Sequence, residues 1–500
     1  MRALRLERHV VTELAAAEGV CSRPVMRQVL DRETNAERWV AISCGSTRES
    51  VCVACATRNR RLRATQAREG WHLAAEPTQE AAADEEPDLA GWPDAATLGA
   101  DQETPARRVR STKRRADVTD LPRVERSDRT VGAVFTSVDG REYRPSMFVT
   151  LTLPSYGAVT ASGAPMDPAS YRYRRQALDA MLFPRLLDQF WKNLRRCSGF
   201  NVQYFSCIEP QRRLAPHCHA AVRGAIPRRV LRRVVSATYV QIWWPPFTDP
   251  VYRDLVPVWD GEAYLDPATG ALLPTWDEAL DRLDADPDGK PAHVLRFGRQ
   301  LDVQGIIAPS QEADRAIRYL VKYLTKSVAE VYPDSTGLDP AHATHVARFQ
   351  AELRWLPCSE ECANWLRYGV QPKNPGPGLR PGHCVKKYHD GDHLGLGGRR
   401  VLVSRLWSGK TLTEHAADRA AVVRAVLTEA GIAPAEIQQM SATVLATDGK
   451  SRYVWQDEPG LVPIGACTSA ILRQVDQRRR WRADYERAKR IVGAGPGQPP

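Results

Sequence analysis

Residues 215–222, Ala-Pro-His-Cys-His-Ala-Ala-Val, constrain the chain more than any other stretch. The run reads as a strand entered through a proline. Residues at i and i+2 of a strand point to the same side, so His217 and His219 face one way and Cys218 the other. Both imidazoles are then close enough to share one ion. Imidazole suits Mn, Zn, Fe or Ni, whereas Mg prefers oxygen ligands and keeps several waters. Glu209, just upstream on an expected neighbouring strand, offers an oxygen ligand. The chain has 11 His, so a His-x-His pair can also be an ordinary patch of a strand.

A second segment sharpens the metal reading. Ile317 to Val328 reads as a helix. At about 100° per residue, Lys322, Tyr323 and Lys326 fall within roughly 60° of Tyr319. Ile317, Leu320, Val321, Leu324 and Val328 fall on the opposite side. The apolar face is complete without the tyrosines, so they are not needed as an edge of the core. A purely solvated cationic face would be expected to mix charges instead. A phenol with a pKa of about 10 is a poor nucleophile at neutral pH, and neighbouring ammonium groups favour its phenolate. Lys322 and Lys326 would also offset charge building on phosphoryl oxygens in a transition state. A metal on the histidines would polarise and orient a phosphodiester. Tyr319 and Tyr323 are the nucleophile candidates, one helical turn apart.

Three motifs carry a family resemblance. Met147-Phe-Val-Thr-Leu-Thr-Leu153 looks like a first strand of a catalytic sheet. Glu209-Pro-Gln-Arg-Arg-Leu-Ala-Pro-His-Cys-His219 looks like a metal motif, and Tyr319 to Lys326 like a two-tyrosine motif. In this order they resemble the rolling-circle replication initiators of actinobacterial plasmids and integrative elements, members of the HUH endonuclease superfamily. The stretches Cys44–Cys55 and Cys358–Ser404 are similar to this family too. The resemblance implies an α+β fold, with a central antiparallel sheet and packed helices as the HUH nuclease core. It implies a nickase that uses Mn or Mg, links a tyrosine to a 5′ phosphate, leaves a 3′ hydroxyl as primer and later rejoins the strand. Origin DNA, single- and double-stranded, would be its partner, together with a host helicase and the replication machinery. The spacer between the metal and tyrosine motifs is longer than the family pattern.

At 500 residues the chain is long enough for two or three domains. A net charge of +11 favours a polyanionic partner, and 13 Trp offer surfaces for unpaired bases. The first residues lack an apolar signal-peptide core, and no stretch approaches a membrane span, so a cytoplasmic protein without a membrane partner is expected. In that compartment 11 Cys are thiols or metal ligands more readily than disulfides. Cys21, Cys44, Cys52 and Cys55 suit a tetrahedral zinc site, with a redox pair or incidental thiols as the alternative. Cys358, Cys362, Cys384 and His389 have zinc spacing too, with His383 or His393 as alternative fourth ligands. Three buried cysteines around a turn are the plainer reading of that segment.

The expected organisation follows from these signals. Residues 1-72 form an N-terminal four-cysteine zinc-binding module, and 73-129 a disordered linker, acidic then basic. Residues 130-332 form the nuclease domain with an insertion at 245-300, in which Thr275 begins a capped helix. A second zinc module spans 333-410, a helical C-terminal region 411-490 and a disordered tail 491-500. Arg228 to Trp244 reads as helix. Gly395-Leu-Gly-Gly-Arg-Arg400 lacks the lysine and hydroxyl of a phosphate loop and reads as a turn. Without an ATPase motif, strand separation would need a separate helicase. The competing classes are a zinc-containing DNA-binding regulator without catalysis and an HUH relaxase or transposase.

Overall fold

The computed structural model describes residues 8–71, 73, 76–77, 115–131, 134–140, 142–308, 310–322, 339–431, 444–456, 462–463 and 465–493. The chain divides into two compact units, one built from its N- and C-terminal parts up to Gln66 and from Lys410, the other from most of the residues between. The first unit begins with α1 (Arg8–Ala17), a hairpin of β1 (Val25–Asp31) and β2 (Ala36–Ile42), and α2 (Val53–Trp71) as far as Gln66.

In the second unit the chain forms β3 (Phe135–Thr136), β4 (Glu142–Thr152), α3 (Tyr173–Ser198), β5 (Tyr204–Pro210) and β6 (Pro216–Arg223). It continues through α4 (Arg228–Ala237), β7 (Tyr239–Ile242), β8 (Val258–Trp259), β9 (Tyr264–Leu265), α5 (Trp276–Ala285), β10 (His293–Arg296) and β11 (Leu301–Ala308). Then come α6 (Gln311–Lys322), α7 (Pro340–Trp355) and β12 (Val401–Val403). The main sheet has the strand order β11-β4-β6-β5-β12, with β3 added on β4 and every pair antiparallel. This is the mixed α+β architecture with an antiparallel sheet that the sequence implies.

The register explains the two faces of the sheet. Leu151, Cys218 and Ile208 lie opposite one another across β4, β6 and β5. All three are buried in one core with Leu182, Phe183, Leu186 and Phe190 of α3. Burying a side chain of that size contributes roughly 1.5–3 kcal/mol. Cys218 is thus a core residue, as the strand alternation predicts. One residue along, Asp302, Thr150, His219 and Cys207 line up across β11, β4, β6 and β5 on the other face. There α6 buries Ile317, Leu320 and Val321, while Tyr319 and Lys322 stay exposed.

One expectation changes. Arg228–Trp244 is not one helix: it breaks at Thr238, and the β-branched and aromatic run after it forms β7, paired with β10. Residues 115–129 run along the end of α3, where the Val124 N–H donates to the Arg196 carbonyl at 3.0 Å and Cys197 Sγ to the Pro122 carbonyl at 3.2 Å. Glu76 accepts from the backbone N–H groups of Thr130 and Val131 at 2.9 and 3.0 Å. These backbone partners hold a segment that has no apolar period of its own.

Residues 245–300 contain the β8–β9 hairpin, α5 and β10. The expected cap is present: Thr275 Oγ1 accepts from the Glu278 N–H, and Glu278 accepts from the Thr275 N–H. Tyr264 on β9 donates its hydroxyl to the Gly376 carbonyl at 2.8 Å, and Gln371 bonds Tyr264 and Leu273 through its side chain. The irregular 371–382 loop is therefore held by Tyr264 and Leu273.

After β12 the chain returns to the first unit with α8 (Leu412–Glu429), β13 (Tyr453–Trp455) and α9 (Ala466–Gly493). β13 pairs antiparallel with β1, and Arg452 forks onto the Asp31 carboxylate at 2.9 and 3.0 Å. Val11, Ala15 and Val20 near α1 pack on Ile471 and Val475 of α9. α1 and α9 thus share one small core, and the cysteines form a separate cluster beside Ala54. Among the described residues no helix is long and apolar enough to cross a membrane.

Candidate functional site

Glu209 sits directly opposite His217 in the β5–β6 hairpin. The turn that closes this hairpin places Leu214 in the left-handed region at φ 67°, with Leu214 fully buried. Such a conformation costs of order 1–3 kcal/mol and persists only where its surroundings enforce it. Arg213 does so by donating to the Leu153 and Pro154 carbonyls at the end of β4. The hairpin tip is thereby fixed to the strand beside it.

The ligand atoms of Glu209, His217 and His219 all lie within 4.8 Å of one another. His217 Nε2 and His219 Nε2 approach to 2.6 Å. Burial lowers the pKa of His217 to about 3, with the neighbouring His219 adding to it, and burial lowers His219 to about 4. Both rings are neutral at physiological pH, which is the form that ligates metal. Thr150 Oγ1 lies 3.0 Å from His219 Nδ1, fixing the ring so that Nε2 points into the cluster. Phe148 stacks on the same ring at 5.7 Å between centroids.

Burial pushes Glu209 up to about 7, against the opposing pull of Arg400 and Lys322. Its Oε1 has no hydrogen-bond partner among the described residues, nor has His217 Nδ1. A buried carboxylate oxygen without a donor, beside two neutral imidazoles, is a donor set that a divalent ion would satisfy. Tyr319 brings its hydroxyl to 3.3 Å from His219 Nε2, with the rings edge-on at 5.0 Å, and remains 42% exposed. The phenol therefore stands at the donor cluster and is open to solvent. Lys322 acts on Glu209 by charge from one turn further along α6. Tyr323 and Lys326 lie outside the described residues.

The two thiolate clusters assemble as the spacings predict. The sulfurs of Cys21, Cys44, Cys52 and Cys55 lie within 4.8 Å of one another. Four sulfurs about a zinc ion at 2.3 Å are about 3.8 Å apart, and the gap between Cys52 and Cys21 is 3.9 Å. Burial would raise the Cys52 thiol, but the backbone N–H groups of Cys55 and Ser22 outweigh it and bring it to about 6. Cys358, Cys362, Cys384 and His389 form the second cluster, with Cys362 Sγ 3.5 Å from His389 Nε2. His389 Nδ1 donates to the Leu353 carbonyl at 2.8 Å, which leaves Nε2 for a metal. Burial alone would lower His389, yet the sulfurs of Cys362 and Cys384 carry it to about 10. Both groups are fit to hold zinc. Of the three candidate histidines, His389 joins the cysteines; His393 instead faces Asp390 at 3.7 Å.

Sequence reasoning did not single out Thr150, Phe148 or Asp302. Thr150 and Phe148 lie in a strand recognised only as apolar, and the alternation of Met147–Leu153 was the available signal. Asp302 shares the cross-sheet row of His219 and raises its pKa, opposing burial.

A family model described as "Replication initiator protein, pSAM2" (RepSA) matches residues 7–457. The chain belongs to this family of replication initiators. Its role accordingly lies in initiating plasmid replication, with origin DNA as its partner. No curated protein and no solved structure matches the chain.

Proposed function

We propose that the protein is an HUH-type nickase that opens one strand of a plasmid origin and starts rolling-circle replication. The observation that carries this reading is the 3.3 Å approach of the Tyr319 hydroxyl to His219, within the three-donor cluster. Glu209, His217 and His219 would hold Mn or Mg, which when bound polarises the scissile phosphate and orients it. Tyr319 Oη attacks phosphorus, losing its proton, and forms a phosphotyrosine with the 5′ end. The P–O3′ bond breaks, and the departing 3′ oxygen takes up a proton to become the primer hydroxyl. Lys322 offsets the charge that builds on the phosphoryl oxygens. Tyr323, with Lys326, would serve the second transfer that rejoins the strand. The covalent link conserves the energy of the broken ester. A host helicase would separate the strands.

The test is an SDS-resistant protein–DNA adduct on end-labelled single-stranded origin DNA with Mn or Mg. An adduct that requires the ion and is lost in Tyr319→Phe, or only in the double variant with Tyr323→Phe, supports the reading. Tight duplex binding with no adduct in any condition would make the protein a DNA-binding regulator instead.

A further inference from the structure

α4 (Arg228–Ala237) carries its charges against its own stability. Its sequence is Arg-Arg-Val-Leu-Arg-Arg-Val-Val-Ser-Ala, with no carboxylate and with two arginines opening the first turn. The N-terminus of a helix is the positive end of its dipole, where cations are unfavourable. Pro227 precedes the helix and provides no side-chain cap. Arg228 with Arg232, and Arg229 with Arg233, are like-charge pairs four residues apart, which destabilise a helix further. α5, of the same length, is arranged the other way: Asp277 and Glu278 stand in its first turn and Arg282 in its last. Positions that break a local rule are where function is expected.

The four guanidiniums share one face. At about 100° per residue, Arg228, Arg229, Arg232 and Arg233 span roughly 140°. All four are exposed, while Leu231, Val234 and Val235 on the remaining arc are buried in the large core. Arg233 Nε donates to the Asp120 carbonyl at 2.9 Å. The side chains of Arg228, Arg229 and Arg232 have neither an ion pair nor a hydrogen bond among the described residues. The helix is fixed at both ends. Before it, the Ile226 N–H donates to the Met147 sulfur at 3.1 Å; after it, Asn193 Nδ2 of α3 donates to Thr238 Oγ1 at 3.0 Å. Met147 alternates with Leu151 on the core face of β4, so α4 stands on the side of the sheet away from His219.

Uncompensated positive charges on a fixed, exposed face draw a polyanion. α4 contains no aromatic residue, so it has no platform for an unpaired base. Duplex DNA is the densest source of phosphate, at about one charge per 1.7 Å of its axis. Guanidiniums meet phosphate oxygens through paired N–H bonds, and such contacts read no sequence.

We infer that α4 is a sequence-independent grip on the phosphate backbone of duplex DNA, made by Arg228, Arg229 and Arg232. It is separate from the tyrosine and its donor cluster. The choice of DNA rests on the family's role in plasmid replication and not on the nickase reading.

The test uses the full-length chain with no divalent ion added and a labelled duplex of arbitrary sequence, with affinity measured across a range of salt. Arg228→Gln, Arg229→Gln and Arg232→Gln together should lower the slope of log affinity against log salt by about 2.7, the value for three phosphate contacts on B-DNA. Affinity near physiological salt should fall at least about tenfold. Arg228→Lys, Arg229→Lys and Arg232→Lys together should keep the slope, since ammonium groups release the same counterions. The glutamine variant should melt no lower than the wild type, because it removes the repulsion within α4. Its adduct formation on single-stranded origin DNA with Mn should be unchanged. Intact duplex affinity and slope in the glutamine variant overturn the inference and leave an acidic protein surface as the occupant of this face. A lost slope in the lysine variant, a lower melting temperature in the glutamine variant, or a matching loss of its single-strand adduct overturns it as well. If the wild type forms no adduct, the nickase reading fails while the duplex comparison still decides this one.

Discussion

Cys21, Cys44, Cys52 and Cys55 supply four donors from buried or half-buried positions, whereas Glu209, His217 and His219 supply three, with the exposed hydroxyl of Tyr319 beside them. A closed set of four thiolates leaves a metal nothing to do but hold the chain together. An open set of three leaves positions for a phosphate. The surroundings differ in the same sense. The thiolates serve a unit whose small core joins α1 to α9, so a metal there would substitute for apolar burial. The histidines ride on a sheet already held by the large core beneath it, so a metal held there would be free to serve chemistry. The cluster of three cysteines and His389 stands between these cases: it has four donors, and Cys358 and Cys362 belong to the large core.

The largest expected effect breaks the comparison most directly. Cys52→Ser should remove most of the folding energy of the first unit, since structural zinc contributes about 10–16 kcal/mol in small zinc domains. Hydrogen exchange at the β1 and β13 amides would then lose its protection, while β4 and β6 keep theirs. His219→Ala should do the reverse, abolishing the adduct without altering exchange anywhere beyond its own strand. Loss of β1 protection in His219→Ala, or its survival in Cys52→Ser, would show that the two kinds of cluster are not divided this way.

A middle-sized effect concerns the segment around His389. A Cβ on Gly397 would run into the Tyr388 ring, next to that histidine. Gly397→Ala should cost about 1–3 kcal/mol, read as a lower melting temperature of the second unit alone. The glycines before β12 are there for this close approach and for the positive φ of 84° at Gly395, not for phosphate.

The smallest effect sharpens the account of the first unit. The Arg452 guanidinium beside Asp31 holds its carboxyl well below the usual range. A carboxylate with a depressed pKa stabilises the fold above its ordinary value and loses that contribution as the pH falls toward its folded value. Stability of the first unit should therefore decline below about pH 4. Asp31→Asn should flatten this decline while lowering stability at neutral pH. An unchanged acid limb of the denaturation profile would show that the β1–β13 pairing does not depend on this bridge.

Local pattern made much of this legible. The alternation around His217 and Cys218 gave the strand and its two faces, and the helical period gave the burial of Ile317, Leu320 and Val321 with Tyr319 outside. Cysteine spacing gave both thiolate clusters, because a tetrahedral metal demands four donors and the chain has few ways to provide them. What pattern could not give was pairing at a distance. Nothing near Asp31 announces Tyr453, and nothing in Gln371 announces Tyr264. The β7 strand was hidden because its residues continue the apolar run of the helix before it. Thr150 was hidden because a hydroxyl in an apolar strand looks like any other strand threonine until His219 is placed opposite.

The pairing of β1 with β13 has a consequence for how the protein is made. Asp31 and Arg452 are 421 residues apart in the chain. At about 5–20 residues per second, a ribosome needs roughly 20–80 s to travel that distance. The opening hairpin and its four thiols leave the ribosome that long before their last strand exists. The second unit, complete in sequence by Gly409, has time to fold in the interval. Early capture of zinc by the thiols would then act as a timer, keeping the first part of the chain in shape until its partner strand is synthesised.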